Sequence, residues 1–396
     1  MVLSELIPDD LMINILSRLP VQSLVFFRFL NKSWHSLITN DPAFKVLNLH
    51  LHSSDRNSNY VIIIPNVFFI ERRLSRVIFC YTNFATAYAV CPIPFRTATN
   101  HYRVLCSCNG VLCMSDSPNY TNMDFNYIIG PPINDNLICI SVYLWNPTVR
   151  KFKILPPYTP WGNRKLMSNT FGVGPDHRDH DFLVINIIYF YDEYARTYNG
   201  QRRPLAMVYS LNTKSWSSVA ESVVVPCFAY DYPTAFVNGA IHWKAFSFAL
   251  NEPVIMYFNT AERVFGEIRL PDKSFDPHMH RVHSRVAVFN GLLAFIVISR
   301  LNPAYRRVCD IWVMNEYGVV QSWTHRFAVP IPEAIWSDRP LGITKNNQLL
   351  VDLDGNLFWY DLDSHHFGIL GYHGVRCSFD VETLTESLYL LEPTRQ

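Results

Sequence analysis

Apolar positions in the first fifty residues recur at helical spacing. Leu11, Ile15 and Leu19 lie four apart, with Met12 and Leu16 beside them, which draws one apolar stripe along a helix that Pro20 stops. Pro8-Asp9-Asp10 supplies the proline and the acids that a helix N-terminus favours. A second helical stretch is expected over Val21–Leu30, with Leu24, Val25, Phe27 and Phe29 apolar and Arg28 exposed. A third is expected over Lys32–Ile38, where Trp34, Leu37 and Ile38 share a side, and Asn40-Asp41-Pro42 is read as its end. So short a three-helix unit cannot hide this many apolar side chains, and the remainder must pack on the rest of the chain or on another protein. The pattern allows a helical cap on a β domain as readily as a docking piece.

From Tyr60 onward the period changes. Short β-rich runs alternate with Asn-Gly, Pro and Asn-Thr turns. One recurring element is an Asn-Gly turn followed by an apolar strand: Cys108-Asn-Gly110 to Cys113, Val237-Asn-Gly239 to Trp243, and Phe289-Asn-Gly291 to Phe295. Lys345-Asn-Asn347 to Leu350 is a degenerate fourth copy. The other element is an aromatic strand, a turn and a further strand, as in Leu144–Leu155, Val208–Trp216, Met256–Ile268, Ile311–Trp323 and Phe358–Ile369. Its turn positions Asn146, Asn212, Asn259, Asn315 and Asp361 are spaced by 66, 47, 56 and 46 residues. A unit of about 50 residues suits a four-stranded propeller blade, and roughly 330 residues then make six or seven blades. An open β-sandwich would explain alternating strands but not the recurrence of two distinct elements. The fold expected is therefore mainly β with a small α-helical N-terminal domain, residues 1–48, ahead of a β-propeller, residues 49–396.

Composition narrows the function. Of 396 residues, 49% are hydrophobic, 14% aromatic and 17% charged, and the net charge is +1. That excludes wholesale disorder and argues against binding nucleic acid by phosphate neutralisation or a membrane by a polybasic surface. Pro8 and the two following acids interrupt the N-terminus before any signal-like apolar stretch grows. The greasiest runs, Tyr60–Ile70 and Val286–Ile298, fall short of the ~18 apolar residues of a spanning helix. A soluble, cytoplasmic and/or nuclear protein is expected. Nine cysteines are sparse for a disulfide scaffold, and Cys106, Cys108 and Cys113 have the spacing of buried strand thiols rather than of a zinc site.

Candidate chemistry is thin. No nucleophile elbow, Walker loop, dinucleotide turn or zinc helix occurs. Phe171-Gly-Val-Gly174-Pro175 lacks a third glycine and reads as a turn. His278, His280 and His283, with Asp276 nearby, read as loop histidines; the Asp176–Asp181 run reads as a solvated hairpin, and His365-His366 as a turn. No catalytic residue, metal or cofactor is expected. Trp145, Trp216, Trp243, Trp312, Trp323 and Trp359 fall in repeat strands and are assigned to packing. Two polar-aromatic loops stand outside the repeats: Pro157–Lys165, with Tyr158, Trp161 and Arg164, and Tyr189–Arg203, with Tyr191, Tyr194 and Tyr198. Loops on a rigid scaffold carry recognition, and Tyr, Trp and Arg are frequent hot-spot residues.

Leu6-Ile-Pro8-Asp-Asp-Leu11, Ile15-Leu16-Ser-Arg-Leu19-Pro20-Val-Gln-Ser23-Leu24 and Trp34 ahead of Leu37-Ile38 together resemble an F-box. Phe29-Leu30-Asn31 departs from plant members, which often carry a cysteine and a basic residue there. Leu144-Trp-Asn-Pro-Thr-Val-Arg-Lys-Phe152, Val208–Leu211, Ser215-Trp216, Ile311–Gly318 and Ser322-Trp323 resemble the plant F-box-associated, kelch-like β-propeller, of which the pollen S-locus F-box proteins are one branch. The resemblance implies docking to the Skp adaptor of a cullin-RING ubiquitin ligase. It implies contacts from Leu6, Pro8, Leu11, Leu19, Pro20, Leu24 and Val25, while Ile15, Trp34 and Leu37 serve either that interface or the unit's own core.

The function expected on this basis is substrate recognition in an SCF-type (Skp-cullin-F-box) E3 ubiquitin ligase, with the propeller holding an unidentified target protein and no nucleic acid or membrane partner. Two alternatives remain: a propeller enzyme with a helical cap, and a Skp-binding interaction protein without ligase output.

Overall fold

A computed structural model describes residues 8–54, 59–65, 76–81, 87–96, 102–116, 141–157, 166–176, 178, 180–190, 204–220, 225, 227–229, 235–247, 249–271, 284–300, 307–332, 338–373 and 379–391. The chain opens with α1 (Asp9–Ser17), α2 (Val21–Phe27), α3 (Lys32–Asn40) and α4 (Pro42–Ser54). Asn40-Asp41-Pro42 ends the third helix as expected, and a fourth helix that the pattern did not announce starts at Pro42. At the first position of a helix proline loses no hydrogen bond, and the Asp41 carboxylate caps α4 by accepting from the Phe44 N–H at 3.0 Å. Arg28 is corrected: it is buried, with its guanidinium 4.6 Å from the Phe29 ring, while Phe29 faces solvent. Leu16, Val21, Leu24, Ile38 and Phe44 form the helical core. Buried Asn48 of α4 donates to the Ser17 and Leu19 carbonyls at 2.9 and 3.4 Å, tying α4 to the end of α1.

The strands succeed one another in chain order. β1 (Asn59–Pro65), β2 (Arg76–Tyr81) and β3 (Ala87–Pro92) belong to a first sheet; β4 (Tyr102–Cys108), β5 (Val111–Asp116), β6 (Val142–Asn146) and β7 (Lys151–Ile154) form a second. The third holds β8 (Leu166–Asp176), β9 (Asp181–Phe190), β10 (Leu205–Ser210) and β11 (Ser215–Ser218). The fourth holds β12 (Cys227–Ala229), β13 (Ala235–Val237), β14 (Ala240–Ser247), β15 (Glu252–Asn259) and β16 (Val264–Arg269). The fifth is β17 (Ser284–Phe289), β18 (Leu292–Arg300), β19 (Arg307–Met314) and β20 (Trp323–Ile331). The sixth is β21 (Asp338–Ile343), β22 (Gln348–Leu353), β23 (Asn356–Asp361) and β24 (Phe367–His373). The last strand, β25 (Phe379–Thr385), returns to pair with β1 and completes the first sheet.

The architecture is mainly β, a propeller behind a small helical unit. Five sheets have the four-stranded form of a blade, and one has five strands, because β12 and β13 pair with different stretches of β14. The expectation of six or seven blades is corrected: five sheets have the regular four-stranded form of a blade, because turn spacing does not reveal how many strands a unit of given length will pair. Neighbouring sheets touch in sequence around the axis, β4 on β8, β8 on β14, β13 on β17, β17 on β21 and β21 on β25, and the touch of β25 on β4 returns the circuit to its start. Apolar side chains fill the gaps between sheets. Leu105, Leu144, Phe171 and Val184 pack between the second and third, and Ile185, Trp243 and Met256 between the third and fourth. Tryptophans also latch neighbours together: Trp216 and Trp323 donate their indole N–H to the Pro156 and Arg269 carbonyls of the preceding sheet, at 2.9 and 3.0 Å. Among the described residues no helix is long and apolar enough to cross a membrane.

Candidate functional site

The molecule has two unlike faces. Within an antiparallel sheet, first-to-second and third-to-fourth strand turns leave one end, and the remaining connections leave the other. The first end carries short turns: Asn109-Gly110, Asn238-Gly239, Asn290-Gly291, and the turns after Asn146, Asn259 and Asp361. The helical unit lies here. Val149, in the β6–β7 turn, joins its core together with Leu388 and Leu391, which come after β25.

On the helical unit large apolar side chains remain in solvent. Leu11 is 57% and Ile15 51% exposed, one turn apart on α1, and Phe26, Phe29 and Leu30 are 73%, 60% and 70% exposed at the end of α2. Pro8 and Pro20 are exposed, while Leu19, Val25, Trp34 and Leu37 are half-buried against the helical core. Leu24 is fully buried, its side chain packed in the core of the helical unit. Leu6 lies outside the described residues. Sequence reasoning passed over Phe26, Phe29 and Leu30 as a surface, although their i, i+3, i+4 spacing is that of one helical side.

The other end of the sheets carries the second-to-third connections, which range from the two-residue Asp354-Gly355 turn to the long stretch between β5 and β6. Leu166, the first residue of β8, stands opposite Phe190, the last of β9. The start of β8 and the end of β9 therefore lie side by side, on the face away from the helices. Tyr158, Trp161, Arg164, Tyr191, Tyr194 and Tyr198 themselves lie outside the described residues, as do His278, His280 and His283.

Other clusters have structural partners. The Asp176–Asp181 run joins β8 to β9, but it is not a solvated hairpin throughout, because both end carboxylates are buried. Asp176 pairs with Arg263 at 3.1 Å, and Asp181 accepts from the Phe182 and Asn212 N–H groups at 2.7 and 3.0 Å. His365 meets the Tyr360 hydroxyl at 2.9 Å and His366 the Ser364 hydroxyl at 3.0 Å. Cys106, Cys108 and Cys113 are buried and unbridged, and burial pushes the Cys106 and Cys108 thiols up. Buried His242 lies with Nδ1 3.2 Å from the Ala235 carbonyl and Nε2 2.8 Å from the Tyr317 hydroxyl; burial pushes its pKa down to about 4. A carbonyl can only accept, so Nδ1 carries the proton and the tyrosine donates to Nε2. Among the described residues no group of three or more His, Cys, Asp or Glu side chains is placed to hold a metal ion.

One arrangement resembles catalytic machinery in composition. Ser299 Oγ donates to Asp310 Oδ2 at 2.9 Å, and Asp310 Oδ1 lies 2.7 Å from His325 Nε2. The carboxylate stands between the other two, so the imidazole is not placed to take the hydroxyl proton, as a hydrolytic triad requires.

Comparison with known proteins gives these parts a family. The profile described as F-box domain matches residues 5–45, and that described as F-box associated beta propeller domain matches residues 133–365. The chain is similar to F-box protein At3g07870 of Arabidopsis thaliana, 26% identical across 86% of this chain and 78% of that one. It is also similar to F-box protein CPR1 of the same plant, 25% identical across 97% of this chain and 89% of the relative. A solved microbial sialidase, Hz136, aligns at 14% identity and a TM-score of 0.44 over 80% of this chain and 71% of its own, a likeness too slight to carry fold or function. Because the propeller match spans more than half the sequence, the chain belongs to the family of F-box proteins with an F-box-associated β-propeller.

Proposed function

We propose that this chain is a substrate-recognition subunit of an SCF-type E3 ubiquitin ligase. The observation that carries the proposal is the pairing of the F-box match with large exposed apolar side chains, Leu11, Ile15, Phe26, Phe29 and Leu30, on the helices of that segment. An apolar helical surface of this kind is stabilised by burial in a partner. The Skp adaptor, and through it the cullin-RING core, is that partner, and Leu6, Pro8, Leu19, Pro20 and Val25 border the contact. The propeller acts as one rigid platform, and a target protein binds on the face turned away from the helices. Tyr158, Trp161, Arg164, Tyr191, Tyr194 and Tyr198 are the first candidates to touch it. The subunit contributes no catalytic group and works by raising the effective concentration of target lysines at the conjugating enzyme. It acts in the cytoplasm, the nucleus or both.

The test is co-purification of the full chain with a Skp adaptor. Replacing both Leu11→Asp and Ile15→Asp alters side chains that the fold leaves exposed, so circular dichroism should be unchanged while capture falls by about tenfold or more. Undiminished capture would overturn the reading. A reconstituted ligase that binds the chain and a captured target, yet transfers no ubiquitin, would favour an adaptor-binding protein without ligase output.

A further inference from the structure

Beyond the closing strand the chain runs on across the short-turn face as Glu386–Leu391, and its side chains divide between two cores. Leu388 and Leu391 are buried among Leu16, Val21, Leu24 and Phe44 of the helices. Tyr389 and Leu390 pack the other way, against the core between the second and third sheets, with Tyr389 5.3 Å from the Phe182 ring. Reaching both cores within four residues demands a sharp reversal. The Leu391 N–H donates to the Leu388 carbonyl at 3.2 Å, and Leu390 takes a φ of +63°. The left-handed region is unfavourable for a leucine and persists only where surrounding contacts impose it.

Besides that packing, a single buried amide makes three polar contacts to this segment from the propeller. Asn146, fully buried at the end of β6, donates from Nδ2 to the Ser387 carbonyl at 3.0 Å, to Ser387 Oγ at 3.0 Å and to the Tyr389 carbonyl at 2.8 Å. Its Oδ1 accepts from the Thr148 and Val149 N–H groups at 3.0 and 3.4 Å, which shapes the turn that sends Val149 into the helical core. Both propeller-side contributions to that core, Val149 and the Leu388/Leu391 pair, thus converge on a single amide.

We propose that Glu386–Leu391 is a strut that locks the helical unit to the propeller as one rigid body, with Asn146 as the positioning residue that sets its seat. Resting on the ligase reading, the strut fixes the direction in which a bound target is presented to the conjugating enzyme. The rigidity itself does not depend on that reading.

The substitution that separates strut from turn is Asn146→Asp. Aspartate keeps the oxygen that accepts from Thr148 and Val149 but sets a second oxygen against the Ser387 and Tyr389 carbonyls, which can only accept, and leaves the Ser387 hydroxyl as the one group there able to donate to it, so the strut is disturbed and the turn is not. In the full chain, amide exchange at residues 387–391 should speed up by about tenfold or more while exchange at Thr148, Val149 and the β5–β6 ladder stays as in the parent. Small-angle scattering should show a broader range of distances within the particle. A second variant, Leu388→Ala with Leu391→Ala, leaves the amide bonds in place and should loosen the helices while the propeller's melting transition remains. Unchanged scattering in both variants would overturn the proposal, as would faster exchange spread evenly over the second sheet. Adaptor capture by the same variants is scored separately: if even the parent chain fails to bind, the ligase reading falls and the scattering still decides the strut.

Discussion

Gly110 and Gly239 occupy the same turn in different sheets, with φ of +76° and +72°, yet they do not bear the same constraint. Each follows an asparagine in the left-handed region, Asn109 at +47° and Asn238 at +51°, as a two-residue hairpin turn requires. Around Gly239 no atom would lie within 4 Å of an added Cβ, whereas at Gly110 that atom would stand 2.3 Å from the Thr385 carbonyl oxygen and 2.7 Å from Ser387 Oγ. Gly239→Ala should therefore cost only the backbone term, about 1–2 kcal/mol. Gly110→Ala should cost that plus displacement of the closing strand and the strut, about 3–5 kcal/mol together. Urea midpoints of the two variants check the difference, and equal losses would show that Thr385 yields without cost.

Elements differ in how far sequence could foretell them, and the reason is the distance over which each is specified. The Asn-Gly turns were legible because both residues of the turn are written locally; all three join a first strand to a second, and Lys345–Asn347 does so in the sixth sheet. Asn259 and Asp361 were legible because each accepts from N–H groups of its own turn, at 2.9 to 3.0 Å and 2.7 to 3.1 Å respectively. Asn212 was misaligned by two residues. The equivalent place in the third sheet is Ser210, whose hydroxyl accepts from the Thr213 N–H at 3.0 Å. The strut escaped altogether, since Asn146 meets Ser387 across 241 positions and no periodicity marks such a contact. The exposed apolar positions of α1 were readable from spacing, but which leucine turned inward was not, because Leu24 is claimed by packing against other helices. Helix α4 belongs to the same class. Its place depends on Asn48, and Asn48→Leu should leave the buried Ser17 carbonyl unpaired at a cost of about 1–3 kcal/mol. Val46→Ala, on the exposed side of α4, should change stability by less than about 0.5 kcal/mol. Thermal melts of the two variants would refute this role for Asn48 if their shifts were the same.

Closure of the whole molecule depends on joining its two ends. The ladder from β25 to β1 pairs Thr385 with Asn59 and Phe379 with Pro65. A second connection crosses the axis. Arg285, on the inner strand of the fifth sheet, reaches Glu382 of β25 at 3.1 Å and passes over Gly342 of the sixth, where an added Cβ would lie 3.7 Å from its guanidinium carbon. Ser107 of the second sheet donates to the same carboxylate at 2.6 Å. Glu382 thus ties its own sheet, the first, to the second beside it and to the fifth across the ring. Burial pushes the Glu382 carboxyl up and the Arg285 guanidinium down, so each charge is costly without the other. Removing one partner strands the other, and Arg285→Met alone should cost about 3–5 kcal/mol. Arg285→Met combined with Glu382→Leu removes both charges and should recover most of that loss, since an apolar pair of similar volume suffers no desolvation penalty. A double-mutant cycle on urea unfolding measures the coupling. If the two losses simply added, the ion pair would be incidental and the ring would be closed by the β25–β1 ladder alone.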